Sequence, residues 1–343
     1  MAREHSHVKK RRRGCLTGCF TKIILLLGIA ALLFVAACSF GVIKNDPDTG
    51  APYVSLEGIG LGGISLDGLG LEKLDLGNLD VEALLPDGLA LPAIDWPYRV
   101  NRTGLTVKTL RAGDGEAVLI CSDGYTMLLG GGDNGVLLCG QLLLSGVNRL
   151  NAVVAMQSAQ EQIGGLALAV KFMKPAYLLY PDTQVKTGAY NAMISAAEGV
   201  KGLTAIAPEQ GLTFSLGRAQ VSVIGPRSKR HTDERNDGLS IRVDYGSTSV
   251  LVMGGVTQDA EREMIHSAPV DADVLIASCG GSGEGTCAEF VEAVTPQYAL
   301  LTGEEPANAV KVRLERVGAK VYTAKENGVM TVYSDGQQVT VKP

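Results

Sequence analysis

The stretch MQSAQEQIGG, residues 156–165, lies between an apolar run ending at Val153, Val154 and Ala155 and a second apolar run that begins after Gly164 and Gly165. A strand that stops, a polar turn and a helix that starts on paired glycines form a common way of building an active site. A catalytic turn would carry ligands, acids or bases. Here Gln157, Ser158, Ala159, Gln160 and Gln162 are neutral, and Glu161 is the one carboxylate. At the head of a helix a carboxylate also has an ordinary explanation, because the helix dipole favours negative charge there.

The other reactive residue types are sparse. The chain has four histidines, at 5, 7, 231 and 266, and seven cysteines. Cys279 and Cys287 flank the flexible GGSGEGT and could close a small disulfide loop, whereas Cys121 and Cys139 read equally well as small buried thiols. LGGGDNG and CGGSGEG are Gly-rich, but neither has the Lys-Ser/Thr of a phosphate loop nor the spacing of a dinucleotide fingerprint. Arg227 to His231 is a basic run answered directly by Asp233 and Glu234, which suits a solvated loop better than a nucleic-acid patch.

Short apolar runs separated by turns must position these residues. Strands are predicted at 105–110, 117–121 and 126–129, with Ser122-Asp123-Gly124 as the turn between the last two. A helix is predicted at 163–173, then strands at 176–180, 203–207, 212–216 and 219–224. A strand pair at 240–245 and 248–253 leads to a helix at 259–266. The remainder alternates strand and helix (274–276, 287–293, 298–301, 307–317, 320–322) before two closing strands. Antiparallel runs on both sides of helices predict a layered α/β sandwich.

The 343 residues are asymmetric in charge. Residues 1–22 carry seven Lys or Arg against Glu4, and the rest carry 24 basic and 35 acidic groups, a net of −11. That acidic part is ill suited to gripping a phosphate backbone, so nucleic acid is not an expected partner. Residues 23–43 are uncharged, and at ~1.5 Å per residue they reach across a ~30 Å hydrocarbon core. The expectation is a single transmembrane anchor with a cytoplasmic basic tail and everything after Ile43 exported. Val35-Ala36-Ala37-Cys38 also resembles a bacterial lipoprotein cleavage box, which makes a lipid anchor at Cys38 the alternative. From 56 to 85 apolar residues recur every five positions, as in Leu56, Leu61, Leu66 and Leu71, with Ile59, Ile64, Leu69 and Leu74 offset by three. Five residues turn a helix by ~500°, so no one face stays apolar. The pattern resembles a pentapeptide-repeat β-solenoid, and the preferred reading is a low-complexity Gly/Leu/Asp stalk over 44–100.

Residues 104–343 resemble, in the order of their turns, the metallo-β-lactamase fold, and within it the extracytoplasmic domain of ComEC-type competence proteins. Leu110-Arg111-Ala112-Gly113-Asp114-Gly115-Glu116-Ala117 is similar to the family's L-x-V-G-Q-G-D-A, and Leu128 to Gly132 to its L-I-D-G-G. MQSAQEQIGG falls where the family has T-H-x-D-x-D-H-x-G-G, Val252 to Val256 where it has L-T-G-D-I, and Ala277 to Ser282 where it has V-P-H-H-G-S. Thr295 to Ala299 and Gly318 to Tyr322 match the family's usual wording most closely.

The resemblance implies an αββα four-layer sandwich over 101–343, preceded by the tail (1–22), the anchor (23–43) and the stalk (44–100). It also implies a hydrolase whose metal is held by His and Asp. At those ligand positions this chain has Gln157, Ala159, Gln162, Gly255, Cys279 and Gly280, with Glu161 alone keeping a carboxylate. The expectation is therefore a membrane-anchored pseudoenzyme that needs no cofactor and binds a protein or envelope ligand through the old cleft. Cys279 as a thiol nucleophile would need a base, and the sequence places neither His231 nor His266 beside it. The alternative is a zinc- or manganese-dependent hydrolase of nucleic acid or phosphoester with a rearranged site.

Overall fold

The computed structural model describes residues 103–343 and three short strands before them, β1 (Ile43–Asn45), β2 (Pro52–Val54) and β3 (Leu74–Asp75). Those three form a small antiparallel sheet in the order β1-β2-β3. The basic tail, most of the stalk and the expected membrane segment lie outside the described residues, except that Ile43 opens β1. Among the described residues no helix is long and apolar enough to cross a membrane.

From Leu105 the chain builds two sheets. The first begins as a meander of β4 (Leu105–Arg111), β5 (Glu116–Ser122) and β6 (Tyr125–Gly130), turned at Asp123-Gly124 as predicted. It continues in parallel through β7 (Ala152–Val154), β8 (Tyr177–Leu179) and β9 (Thr204–Ile206). The second sheet runs antiparallel through β10 (Thr213–Leu216), β11 (Ala219–Gly225), β12 (Ser240–Tyr245) and β13 (Thr248–Val252). It then runs parallel through β14 (Val274–Ile276), β15 (Tyr298–Leu301) and β16 (Lys320–Thr323). The hairpin β17 (Thr331–Ser334) and β18 (Val339–Lys342) returns to the first sheet and pairs with β4.

Alternation along the strands assigns the faces. On β5, Val118 and Ile120 join Val221, Val223, Ile241 and Val243 in the core between the sheets, whereas Ala117 and Leu119 face the helices. The outer face of the first sheet is covered by α1 (Gly135–Leu144), α3 (Leu166–Met173) and α4 (Gly188–Glu198), through Leu138, Leu142, Leu166, Val170 and Met193. The second is covered by α5 (Gln258–Ile265), α6 (Ala288–Val294) and α7 (Asn308–Arg316), through Met264, Phe290, Val291, Val310 and Leu314. A last turn of helix, α8 (Ala324–Asn327), follows β16. Helix, sheet, sheet and helix are the four expected layers.

One predicted element divides. The helix expected at 163–173 is a short α2 (Gln160–Ile163) followed by α3, broken at Gly164 and Gly165. A β-carbon on Gly165 would come 2.4 Å from the Gly131 carbonyl oxygen, so the glycine lets the chain pass against the end of β6. Besides the short α8, two longer helices went unforeseen. Asn134 caps α1 by accepting from the Leu137 amide, and Thr187 caps α4 by accepting from the Tyr190 amide at 3.1 Å.

Candidate functional site

Three loops leave the carboxyl ends of β7, β13 and β14 and meet beside residues 234–238, a common location for sites in α/β sheets. Gln157 follows β7. Its side chain is buried, and Nε2 donates to the Arg235 carbonyl at 2.9 Å. Its Oε1 lies over Gly255, where an added β-carbon would stand 2.4 Å away. Cys279 follows β14, with its amide donating to Gly254 O at 2.7 Å and its thiol to Gly255 O at 3.3 Å and Val256 O at 3.2 Å. The fold thus brings together three of the positions named from sequence, Gln157, Gly255 and Cys279.

The other four are placed differently. Ala159 is the N-terminal flanking residue of α2, and Glu161 is exposed in its first turn. Gln162 is half-buried, with its Oε1 enclosed and without a partner among the described residues. Gly280 has φ +63° and packs against Gly303, whose amide donates to its carbonyl at 2.9 Å. A β-carbon on Gly280 would meet the Gly303 backbone at 2.7 Å, so the close passage of the two loops excludes a larger residue there.

The disulfide foreseen between Cys279 and Cys287 is not formed, and both are free thiols. The reason is what each sulfur touches. Cys279 is held by the two carbonyls above, while Cys287 is buried at the start of α6 beside Glu261. Burial pushes both thiols up to about 12. For Cys279, Arg235 works against that rise and Glu284, Glu261 and Glu116 reinforce it.

Glu261 is the anchor of this loop. Fully buried on α5, it accepts from the Ser278 hydroxyl, the Thr286 amide at 2.5 Å and the Cys287 amide at 2.7 Å. Desolvation raises its pKa, against the pull of those donors.

The charged stretch after β11 is solvated at its start, as expected, and buried further on. Residues 227–230 are exposed, and Lys229 pairs with Asp182 and Glu209. Asn236 and Asp237 are buried. Asn236 Oδ1 accepts from the Thr257 amide at 2.8 Å, and Asp237 Oδ1 contacts the His231 ring at 2.9 Å, with Glu263 on the other ring nitrogen at 3.3 Å. Arg235, paired with Asp233 and Glu284, closes the group above Gln157. Sequence reading missed Arg235, Asn236 and Glu261, and a polar triplet followed by Gly238 at the head of a strand was the one signal available.

A divalent transition metal does not fit these residues. Among the described residues no group of three or more His, Cys, Asp or Glu is placed to hold a metal ion. Gln157 offers a neutral amide already engaged, Gly255 and Gly280 offer no side chain, and Cys279 is a single thiol turned onto two backbone carbonyls.

No family model matches the chain. ComE operon protein 3 of Bacillus subtilis (strain 168) is 23% identical over 196 residues, 55% of this chain. The chain spans 25% of the length of that curated relative. Among solved structures, it is similar to the metallo-β-lactamase fold protein YhfI from Bacillus subtilis (15% identity, TM-score 0.48), over 66% of this chain and 99% of that one. It is similar also to zinc-bound PqqB from Methylobacterium extorquens (12% identity, TM-score 0.42), over 64% and 97% of the two chains. The two-sheet sandwich described above is consistent with that fold.

Proposed function

We propose that this metallo-β-lactamase-like domain, distantly related to ComE operon protein 3, is a binding module that does not use the fold's metal chemistry. The observation that carries the reading is the exclusion between Gln157 and residue 255. The Gln157 carboxamide oxygen lies 2.4 Å from where a β-carbon on residue 255 would stand, so any side chain at 255 must displace it. The same amide is spent on Arg235 O, and the neighbouring thiol on Gly255 O and Val256 O. What remains is a buried neutral group edged by the partly exposed Arg235, whose guanidinium is the part able to hydrogen-bond a ligand or a partner's backbone. The apolar segment 23–43 would hold the domain outside a membrane, with a protein or envelope component as its ligand.

The test is metal content of the full chain after equilibration with zinc and manganese and removal of free ions. The expected result is less than about a tenth of an equivalent retained by a well-folded protein. Retention of about one equivalent, lost in the Glu161→Gln and Cys279→Ser variants, would overturn the reading in favour of a rearranged hydrolase.

A further inference from the structure

The buried carboxyl groups among the described residues are Glu116, Asp237 and Glu261. Two are fully provided for. Glu261 takes three donors from the loop it anchors, and Asp237 takes the backbone amide and the ring of His231. Glu116 is different. Its carboxyl accepts one hydrogen bond, from Thr302 Oγ1 to Oε1 at 3.3 Å, and no Lys or Arg among the described residues pairs with it. An ionised carboxylate has about four acceptor positions, so most of its capacity is unmet.

That capacity faces a cavity. Glu116 and Thr302 line a hollow of about 300 Å³ between the β4–β5 turn and the segments that follow β15 and β16. The other charged groups of its wall are exposed: Asp114, Glu304 and Glu305 against Arg111 and Lys325. The lining is acidic on balance, and its buried charge has no counter-ion from the described residues. The volume is at the lower end for small-ligand sites.

We propose that this cavity binds a small ligand through a primary ammonium group, with Glu116 as the counter-charge and Thr302 as a second oxygen beside it. The chemistry favours ammonium over the other cations. A divalent metal would want several convergent anionic ligands, and no such group forms among the described residues. A guanidinium pairs best with both carboxylate oxygens in one plane and would leave the Thr302 hydroxyl oxygen unused. An ammonium has three rotatable donors and is satisfied by one carboxylate oxygen, one hydroxyl oxygen and water.

Burial raises the Glu116 carboxyl to about 7, so the ligand also competes with a proton. An alkylammonium stays charged well above that range. Affinity should therefore rise with pH until Glu116 is ionised and then level off.

The experiment is ligand-observed NMR with the full chain and n-butylammonium as probe, with n-butanol and tetramethylammonium as controls. Saturable binding of n-butylammonium alone is expected at pH 8, weaker by about tenfold at pH 6 because that much less Glu116 is ionised. Glu116→Gln, which keeps an acceptor for Thr302, should abolish binding at both pH values, and Thr302→Val should weaken it severalfold. No saturable binding at pH 8, equal affinity at pH 6 and 8, or full binding by a folded Glu116→Gln variant would each overturn the proposal. If that variant does not fold, the pH ratio of the unaltered chain decides. The titrations use metal-free protein, so metal retention by the Cys279 group bears on the proposed function and n-butylammonium binding on this proposal.

Discussion

Gln157 and Gly255 are mutually dependent: the carboxamide of one rests where the side chain of the other would begin, 2.4 Å from an added β-carbon. Gly255→Asp alone should therefore cost roughly 1–3 kcal/mol through overpacking. Gln157→Ala alone should cost about 1 kcal/mol for its lost bond to Arg235 O. In the double variant the space vacated by Gln157 accommodates the introduced carboxylate, so the combined loss should fall short of the sum by about 1 kcal/mol or more. Denaturant midpoints of the four proteins measure this coupling. Simple additivity would mean that the two positions do not compete.

Cys279 should be inert. With its thiol pushed up to about 12, chiefly by burial, the thiolate fraction at pH 8 is about one in ten thousand. Alkylation by iodoacetamide should run roughly a thousandfold slower than at an unperturbed exposed thiol. Peptide mass spectrometry over time reads the rate, and modification within minutes at neutral pH would reopen a nucleophilic role.

His231 should act as a pH-dependent tie between its loop and α5. Burial opposes its protonation, but hydrogen bonds to Asp237 and Glu263 outweigh burial and raise its pKa above the ordinary value of 6.5. A histidine whose folded pKa is raised contributes stability that is fully present below the unfolded pKa and lost as pH rises through the folded one. His231→Ala should thus cost roughly 1–3 kcal/mol at pH 5.5 and markedly less at pH 8.5. A cost that does not change between those pH values would show that the ring serves only as packing.

Replacing Glu261 by Ala should be the most damaging of these changes. It strands the Ser278 hydroxyl and the Thr286 and Cys287 amides, at a cost of about 3 kcal/mol or more. The loop from 278 to 287 should become the first site of proteolytic nicking. Unchanged stability would refute the anchoring role.

The strands were legible as short apolar runs bounded by turns. Ala117 to Ile120 is apolar throughout because both faces of its strand are buried, and turn residues such as Asp123-Gly124 mark where each strand ends. The helix α1 was not legible, since Gly135 and Gly140 weaken its pattern and Asn134 is its one cap signal. At the site, sequence order located Gln157, Gly255 and Cys279, which the fold brings together. It could not supply Arg235, Glu116 or Glu261, because their roles come from loops that meet only after folding. A buried glutamate and a solvated one have the same letter.

The pairing of β17 with β4 bears on when the domain can form. Thr109 N donates to Met330 O at 3.0 Å, and Met330 N to Thr109 Oγ1 at 2.9 Å, contacts that span 221 residues. Until Met330 has left the ribosome, one edge of the first sheet lacks its neighbour, and Leu105, Val107 and Val118 lack the cover of Met330 and Val332. Contacts of such long range form late and slowly. Until that pairing forms, the open edge is free to pair with other chains.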